Sequence, residues 1–358
     1  MEPDFRNKLL KWNRTYNDRK MPWKGEKDPY RIWLSEIILQ QTRVEQGWAY
    51  YVKFIKTFPS IKHLAKATDE RVFKLWEGLG YYSRCKNLLA TARIIVQEHN
   101  AIFPNEYEAI KKLKGIGPYT AAAIASFAFD KPYAVVDGNV QRIFSRYFGI
   151  TTPVDSGAGK KLFFELAQAL LDKERPAIYN QAIMDFGAVI CKPKNPLCTL
   201  CTQRKDCIAF KLDQVKSLPV KEKSIIKKDR WFYYFLFVIG NKIYVRKRTK
   251  KDIWQNLYEF VLDETNMSVP NAGIKPGILK RFIGRQPFII VSVSSVYRQQ
   301  LSHQYINGQF MVVSIKKEPR GLKQYELIEK NKIKRLAFPA LINRYLYSQP
   351  EFHLFKSK

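Results

Sequence analysis

The stretch LKGIGPYTAAAIASFAFDKPYAVVDGNV, residues 113–140, decides how the first half of this chain folds. Asn105 followed by Glu108 reads as a capping-box-like opening of a short helix that runs through Leu113. Gly115 and Gly117 end that helix, and Pro118 suits the first turn of the next one. The result is two helices joined by a tight glycine hairpin. Glycines there let the backbone turn sharply and leave N–H groups open at a helix N-terminus, where a phosphate oxygen can approach. An ordinary hairpin between helices and a phosphate-binding one both fit. Further on, Asp137 stands directly before Val140, Ile143, Phe144, Tyr147 and Phe148, which recur at helical spacing. The residue is therefore at a helix start. It serves either as a plain N-cap or as a carboxylate held ionised to face a developing positive charge.

Upstream, Asp28 and Pro29 form a cap and first turn for YRIWLSEIILQQT, residues 30–42. Ile32, Trp33, Leu34, Ile37, Ile38 and Leu39 lie all round this helix, which predicts burial on most sides. Glu36 is in its middle. A buried carboxyl without a cationic partner is pushed toward its neutral form, as a general acid at neutral pH requires, whereas an ion pair to Arg43 would leave it structural. Two helical patterns between Thr68 and Asn100 are separated by GLGYYSRCKN, in which Tyr81 and Tyr82 follow Gly78 and Gly80. Such tyrosines are either wedges for a nucleic-acid stack or packed core. Two further helices between Asp155 and Ile190 are divided by Pro176, and residues 5–210 read as helical throughout.

The 358 residues carry 62 Lys and Arg against 32 Asp and Glu, a formal charge of +30. That length predicts two or three domains. The basic excess, spread along the chain and accompanied by 14% aromatic residues, points to a polyanion partner, nucleic acid first. A membrane surface would call for a basic amphipathic anchor or a lipidation signal, and neither is seen. The longest apolar run, Trp231 to Ile239, is too short to span a bilayer, and MEPDFRNKLLKW has no apolar signal core. A cytoplasmic protein, nucleoid-associated and with reduced thiols, is expected.

Cys191, Cys198, Cys201 and Cys207 are spaced CX6CX2CX5C. Four thiols so close in a cytosolic chain read as a ligand set. Structural zinc more often shows two CXXC pairs, and only Cys198 and Cys201 form one, so a four-thiolate iron–sulfur cluster fits better. Cys85 reads as a buried bystander.

Taken together, the cysteine cluster, the LKGIGPYT hairpin and the VDGN aspartate resemble the endonuclease III superfamily of DNA glycosylases. SEIILQQTRV, MPW at residues 21–23 and GLGYY resemble, within it, the adenine DNA glycosylase family. The resemblance covers most of residues 5–210. It implies an all-α helix-hairpin-helix region of two lobes, a [4Fe-4S] cluster, and a cleft for a flipped-out base. By resemblance, Glu36 is the acid that protonates adenine, and Asp137 stabilises the cationic sugar. Tyr119 and Asn139 arrange that pair, Arg19 and Trp23 line the adenine pocket, and Gln41 and Tyr81 enter the duplex beside the partner base. Gly115 and Gly117 of the hairpin, with Lys192 and Lys194 between the first two cysteines, are expected at phosphates. Superfamily members that also cut the backbone carry a lysine where this chain has Tyr119, so the resemblance implies a monofunctional enzyme.

After a lysine-rich linker, residues 211–230, the period changes to that of strands. Trp231 to Ile239 and Lys242 to Arg248 flank a Gly240-Asn241 turn; Phe288 to Val296 and Gln304 to Ser314 add strand-like runs, and a helix from Pro339 to Tyr347 closes an α+β domain, residues 231–350. WQNLYEF, residues 254–260, resembles the opening of a Nudix box, which implies a MutT-like domain. The carboxylates that would hold magnesium are missing after Glu259. The family's Phe-Ser-His reading turn appears as Leu301, Ser302 and His303. The resemblance implies that Ser302 and His303 bond a base edge, and Leu301 stands where the family has an aromatic ring. The function expected is removal of adenine opposite 8-oxoguanine or guanine in double-stranded DNA, by a monomer. A thymine or uracil mismatch glycosylase and a non-catalytic iron–sulfur DNA-binding protein are the competing readings.

Overall fold

The structure, a computed structural model, describes residues 2–222, 226–268 and 276–349. Their contacts divide the chain into two units, one made of residues 1–67 and 86–224, the other of 68–85 and 225–358. Helices α1 (Glu2–Tyr16), α2 (Pro29–Leu39), α3 (Val44–Thr57), α4 (Ile61–Lys66), α5 (Asp69–Trp76), α6 (Tyr82–Glu98), α7 (Tyr107–Lys112), α8 (Pro118–Phe129), α9 (Gly138–Phe148), α10 (Gly157–Leu170), α11 (Pro176–Val189) and α12 (Ile208–Lys211) follow one another, and every described strand comes later. No described helix is long and apolar enough to cross a membrane.

In the first unit, α2 starts as its sequence predicts. Asp28 accepts from Tyr30 N, Pro29 takes the first turn, and Tyr30 and residues 32–38, Glu36 among them, are buried. It packs against α3 and α8. α8 is rich in alanine on all sides, and Ala121, Ala122, Ala123 and Ala125 are nearly or wholly buried, so its neighbours approach closely. A second core gathers α1, α9, α10 and α11 around Phe5, Trp12, Phe144, Phe163 and Phe186.

The hairpin between α7 and α8 forms, with one correction at its start. Glu106, not Asn105, is the N-cap of α7 and makes no capping bond through its side chain. Glu106 pairs with Lys131 at 2.8 Å, and Glu108 with Lys111 at 2.9 Å, so the Glu108 carboxylate expected to serve the backbone serves a lysine instead. Gly117 is the N-cap of α8. Gly115 has φ +78, and a Cβ there would stand 2.6 Å from that of Asn87, so no other residue fits.

The second unit is a mixed sheet of β1 (Lys228–Ile239), β2 (Lys242–Lys247), β3 (Tyr258–Glu259), β4 (Val261–Thr265), β5 (Phe288–Val293), β6 (Tyr297–Gln300), β7 (Gln304–Ile315) and β8 (Glu326–Glu329), with helices α13 (Pro276–Ile283) and α14 (Ala340–Ser348). The order β3-β2-β1-β7-β5 puts β1 and β7 at the centre, paired in parallel. Gly240 and Asn241 join β1 to β2 as a two-residue hairpin. The period of two in β1 sends Tyr233, Phe235 and Phe237 toward Leu279 and Ile283 of α13. β7 turns its other face to α14: Phe310 stacks on Tyr345 at 4.0 Å, and a Cβ on Gly308 would collide with Leu341. Residues 68–85 belong here because α5 is tied to the segment before α14: Lys74 Nζ donates to Leu336 O at 2.8 Å, and Phe338 N donates to Glu77 at 2.8 Å.

Candidate active site

Six residues singled out in the sequence, Arg19, Trp23, Glu36, Tyr119, Asp137 and Asn139, line one cavity of about 420 Å³ in the first unit. Helix α2 offers Glu36 from its buried face, the first turn of α8 offers Tyr119, and the start of α9 offers Asp137 and Asn139. Glu36 is 6% exposed. Its partner is the Tyr119 hydroxyl, which donates to it, while Arg43 stands at the N-cap of α3. Burial pushes the Glu36 carboxyl up to about 7; the Tyr119 bond opposes that rise, and the charge on Asp137 adds to it. Burial also keeps the Tyr119 phenol well above its ordinary value, so it remains a donor.

Asp137 is the N-cap of α9 and is held through both carboxylate oxygens. Asn139 N and Val140 N donate to its Oδ1 at 2.8 and 2.9 Å, and Asn139 Nδ2 donates to Oδ2 at 2.6 Å. Burial raises its carboxyl above the usual range; the three bonds and the Arg142 guanidinium pull the other way. The negative charge on Asp137 is among the causes that lift Glu36. The pair thus divides its protons unequally, Asp137 ionising first and Glu36 retaining its proton to near neutrality.

The wall of the cavity holds residues that the sequence did not announce. Asp185 of α11 is wholly buried and accepts from Arg19 at 2.8 Å, Lys24 at 2.9 Å, Asn17 at 2.9 Å and Gln181 at 3.0 Å. It fixes Arg19, Lys24 and Gln181, which all line the cavity. The Lys24 ammonium also donates to Arg19 O at 2.9 Å, and Lys27, which lines the cavity too, pairs with Asp130 at 2.7 Å, so both amines are committed to partners. The only trace of Asp185 in the sequence is an aspartate interrupting the apolar run AIMDFGAVI.

Residues 34–166 match the family model described as "HhH-GPD superfamily base excision DNA repair protein". An adenine DNA glycosylase of Buchnera aphidicola subsp. Schizaphis graminum is 38% identical over 258 residues, 72% of this chain and 74% of that one. A solved thermostable thymine-DNA glycosylase superposes with TM-score 0.55 and 30% identity over 59% of this chain and 97% of its own. A solved complex of endonuclease III with DNA, 18% identical, shares the fold with TM-score 0.51 over 60% and 98%. The chain belongs to the adenine DNA glycosylase family.

In this adenine DNA glycosylase, two arginines missed in the sequence connect the start of α9 to the cysteine loop. Arg142 Nη2 donates to Asn139 Oδ1 at 2.8 Å and to Gly187 O at 2.7 Å, and its Nε donates to Cys191 O at 2.8 Å. Arg146, one turn on, donates to Leu218 O at 3.1 Å and Lys192 O at 2.8 Å and lies 3.4 Å from Cys191 Sγ. Both are buried on the apolar face of an amphipathic helix, and that placement was the available signal. Cys191, Cys198, Cys201 and Cys207 are free thiols around one small apolar cavity with Ile190, Leu197 and Phe210. Among the described residues no group of three or more His, Cys, Asp or Glu is set to hold a single metal ion. The thiols do face one another: burial pushes Cys201 up to about 12, and the charges of the other three add to it. Lys192 is half-buried and Lys194 exposed in the same loop.

The remaining candidates occupy turns. Gln41 follows α2 with φ 55, and Tyr81 follows Gly80 with φ 49, both in the left-handed region. Tyr81 is exposed, whereas Tyr82 is buried in stacking with Phe73. In the second unit, Leu301, Ser302 and His303 form the turn between β6 and β7, with His303 exposed. Glu259 is buried and paired with Arg246 at 2.9 Å and with Arg248, so its carboxylate is already neutralised.

Proposed function

We propose that this adenine DNA glycosylase hydrolyses the N-glycosidic bond of adenine opposite 8-oxoguanine or guanine in duplex DNA, after flipping the adenine into the cavity of the first unit. The observation that supports this most is the pairing of Glu36, raised to about 7 beside Tyr119, with Asp137, anchored by Asn139. Adenine leaves a sugar far more readily as the neutral base, and the sugar it leaves is cationic. One protonated and one ionised carboxyl meet both needs. Glu36 donates its proton to the adenine ring as the bond to C1′ breaks, Asp137 offsets the charge on the sugar, and water completes the hydrolysis. The cavity falls within the size range of small-ligand sites. Flipping is required because the bond is inaccessible within the stack. Tyr119 carries no amine, and Lys24 is held by Asp185, in keeping with a monofunctional enzyme.

Cys191, Cys198, Cys201 and Cys207 would hold a [4Fe-4S] cluster, and their shared apolar cavity and mutual repulsion suit a group that supplies positive charge. When bound, it ties the loop together and supplies no group to the hydrolysis. The mixed sheet between α13 and α14 is read as a MutT-like domain that inspects the partner base through Ser302 and His303; the ion pairs of Glu259 leave it free of magnesium work. Gln41 and Tyr81 are assigned to the duplex beside that base, and Gly115 and Gly117 to a phosphate. The deciding experiment is single-turnover release on duplexes with A opposite 8-oxoguanine, A opposite G, and T or U opposite G. Release of adenine alone, fastest opposite 8-oxoguanine, is expected. Release of T or U with adenine untouched would overturn the assignment.

A further inference from the structure

Under the reading just proposed, on which this inference rests, Ser302 bonds an edge of the partner base. A serine hydroxyl is a poor reader by itself. It rotates freely and either donates or accepts, so its direction must be set by something else.

In the second unit the Ser302 Oγ lies 2.5 Å from the hydroxyl oxygen of Tyr81. Among the described residues this is the only hydrogen bond of the Ser302 side chain. The backbone on either side is pinned: Leu301 N donates to Gln304 O at 2.8 Å, and Lys228 N donates to His303 O at 3.1 Å. The backbone of the turn is thus fixed, and the serine hydroxyl keeps its own rotation to be aimed. Tyr81 is restrained as well. It sits on a left-handed backbone, φ 49, after Gly80 with φ 79. The Arg84 guanidinium lies 5.5 Å from its ring centroid and donates to Gly80 O at 3.2 Å. Tyr81 is 43% exposed.

We propose that Tyr81 is a positioning residue for lesion reading: its hydroxyl aims Ser302 at the base edge, so that insertion of the Tyr81 ring and reading by Ser302 are a single event. The ring and the hydroxyl then have separable tasks. Phenylalanine keeps the first and removes the second.

The test is a double-mutant cycle on the full-length protein, reading the ratio of adenine-release rates opposite 8-oxoguanine and opposite guanine. Tyr81→Phe should lower that ratio by roughly 3- to 10-fold, the worth of one hydrogen bond. The melting temperature should stay close to wild type, which separates a lost hydrogen bond from a damaged fold. In a Ser302→Ala background the same change should have no further effect. If Ser302→Ala lowers the ratio and Tyr81→Phe leaves it unchanged, the positioning role is overturned while base reading by Ser302 stands. If Tyr81→Phe lowers the ratio equally in both backgrounds, Tyr81 acts through its ring or through another group, and the inference again fails. An unchanged ratio in Ser302→Ala alone removes the underlying reading, and the inference with it.

Discussion

Glu36 gives up its hydration on the buried face of α2 and receives a phenol in return rather than a cation, so burial dominates and its carboxyl rises to about 7. A group raised in the folded state stabilises the fold fully below its unfolded value and loses that contribution as pH rises through the folded one. Here the window runs from 4.5, the ordinary glutamate value, to about 7. Glu36→Gln, neutral at every pH, should therefore gain stability over wild type by up to about 3 kcal/mol between pH 4 and pH 8, read from melting curves. The same substitution should abolish adenine release and leave lesion-duplex binding nearly intact, since the proton acts on the transition state. In the wild type, kcat/KM should fall as pH climbs through 7 and Glu36 loses its proton. Asp137→Asn separates the two readings of that aspartate. Asn caps a helix about as well as Asp, so the melting temperature should change little, while the countercharge to the sugar is lost. Release at the wild-type rate would reduce Asp137 to a cap.

At the scale of elements, what was legible was local. Gly115 takes a turn that only glycine makes, Gly117 and Pro118 open α8, and Asp28 and Asp137 announce helix starts that the backbone then takes. The capping box at Asn105 and Glu108 failed because the N-cap is Glu106, whose carboxylate pairs with Lys131, 25 residues away, and because Lys111 takes the Glu108 carboxylate. Asp185, Arg142 and Arg146 were illegible for the same reason: each looks like a flaw in an apolar pattern until its tertiary partners are known. Asp185 carries a consequence for α11. Asp185→Asn leaves Arg19 and Lys24 without their countercharge, and because both cations are only about a quarter exposed, the loss should be about 2 kcal/mol in melting experiments. Single-turnover release should slow as Arg19 leaves the cavity wall. Unchanged release would mean that Arg19 is placed by other means. The cysteine loop has its own test. Aerobically purified protein should be brown, and Cys198→Ser should lose iron and folded yield; a colourless protein with stoichiometric zinc would overturn the cluster.

At the scale of the whole chain, the change of period after residue 230 pointed to the sheet, whose first strand starts slightly earlier, at Lys228, yet nothing in the sequence placed residues 68–85 with it. Those contacts run through Glu70 to Lys247, Lys74 to Leu336 and Glu77 to Phe338, pairings across more than 170 positions that no local pattern encodes. Charge was legible because it needs no partner. A formal +30 predicts that much of the affinity for duplex DNA comes from displaced counterions and carries no sequence information. Lys194 is exposed in the cysteine loop, and Lys192 is half-buried, its carbonyl held by Arg146. If both ammonium groups meet phosphates, changing the two to alanine should weaken binding to lesion and plain duplexes by the same factor. The slope of log affinity against log salt should also flatten by about 1.8, two contacts at about 0.9 each. Fluorescence anisotropy on both duplexes between about 50 and 200 mM salt reads the two quantities together. A loss confined to the lesion duplex, or an unchanged slope, would place the lysines away from the phosphates and leave the loop to its cysteines alone.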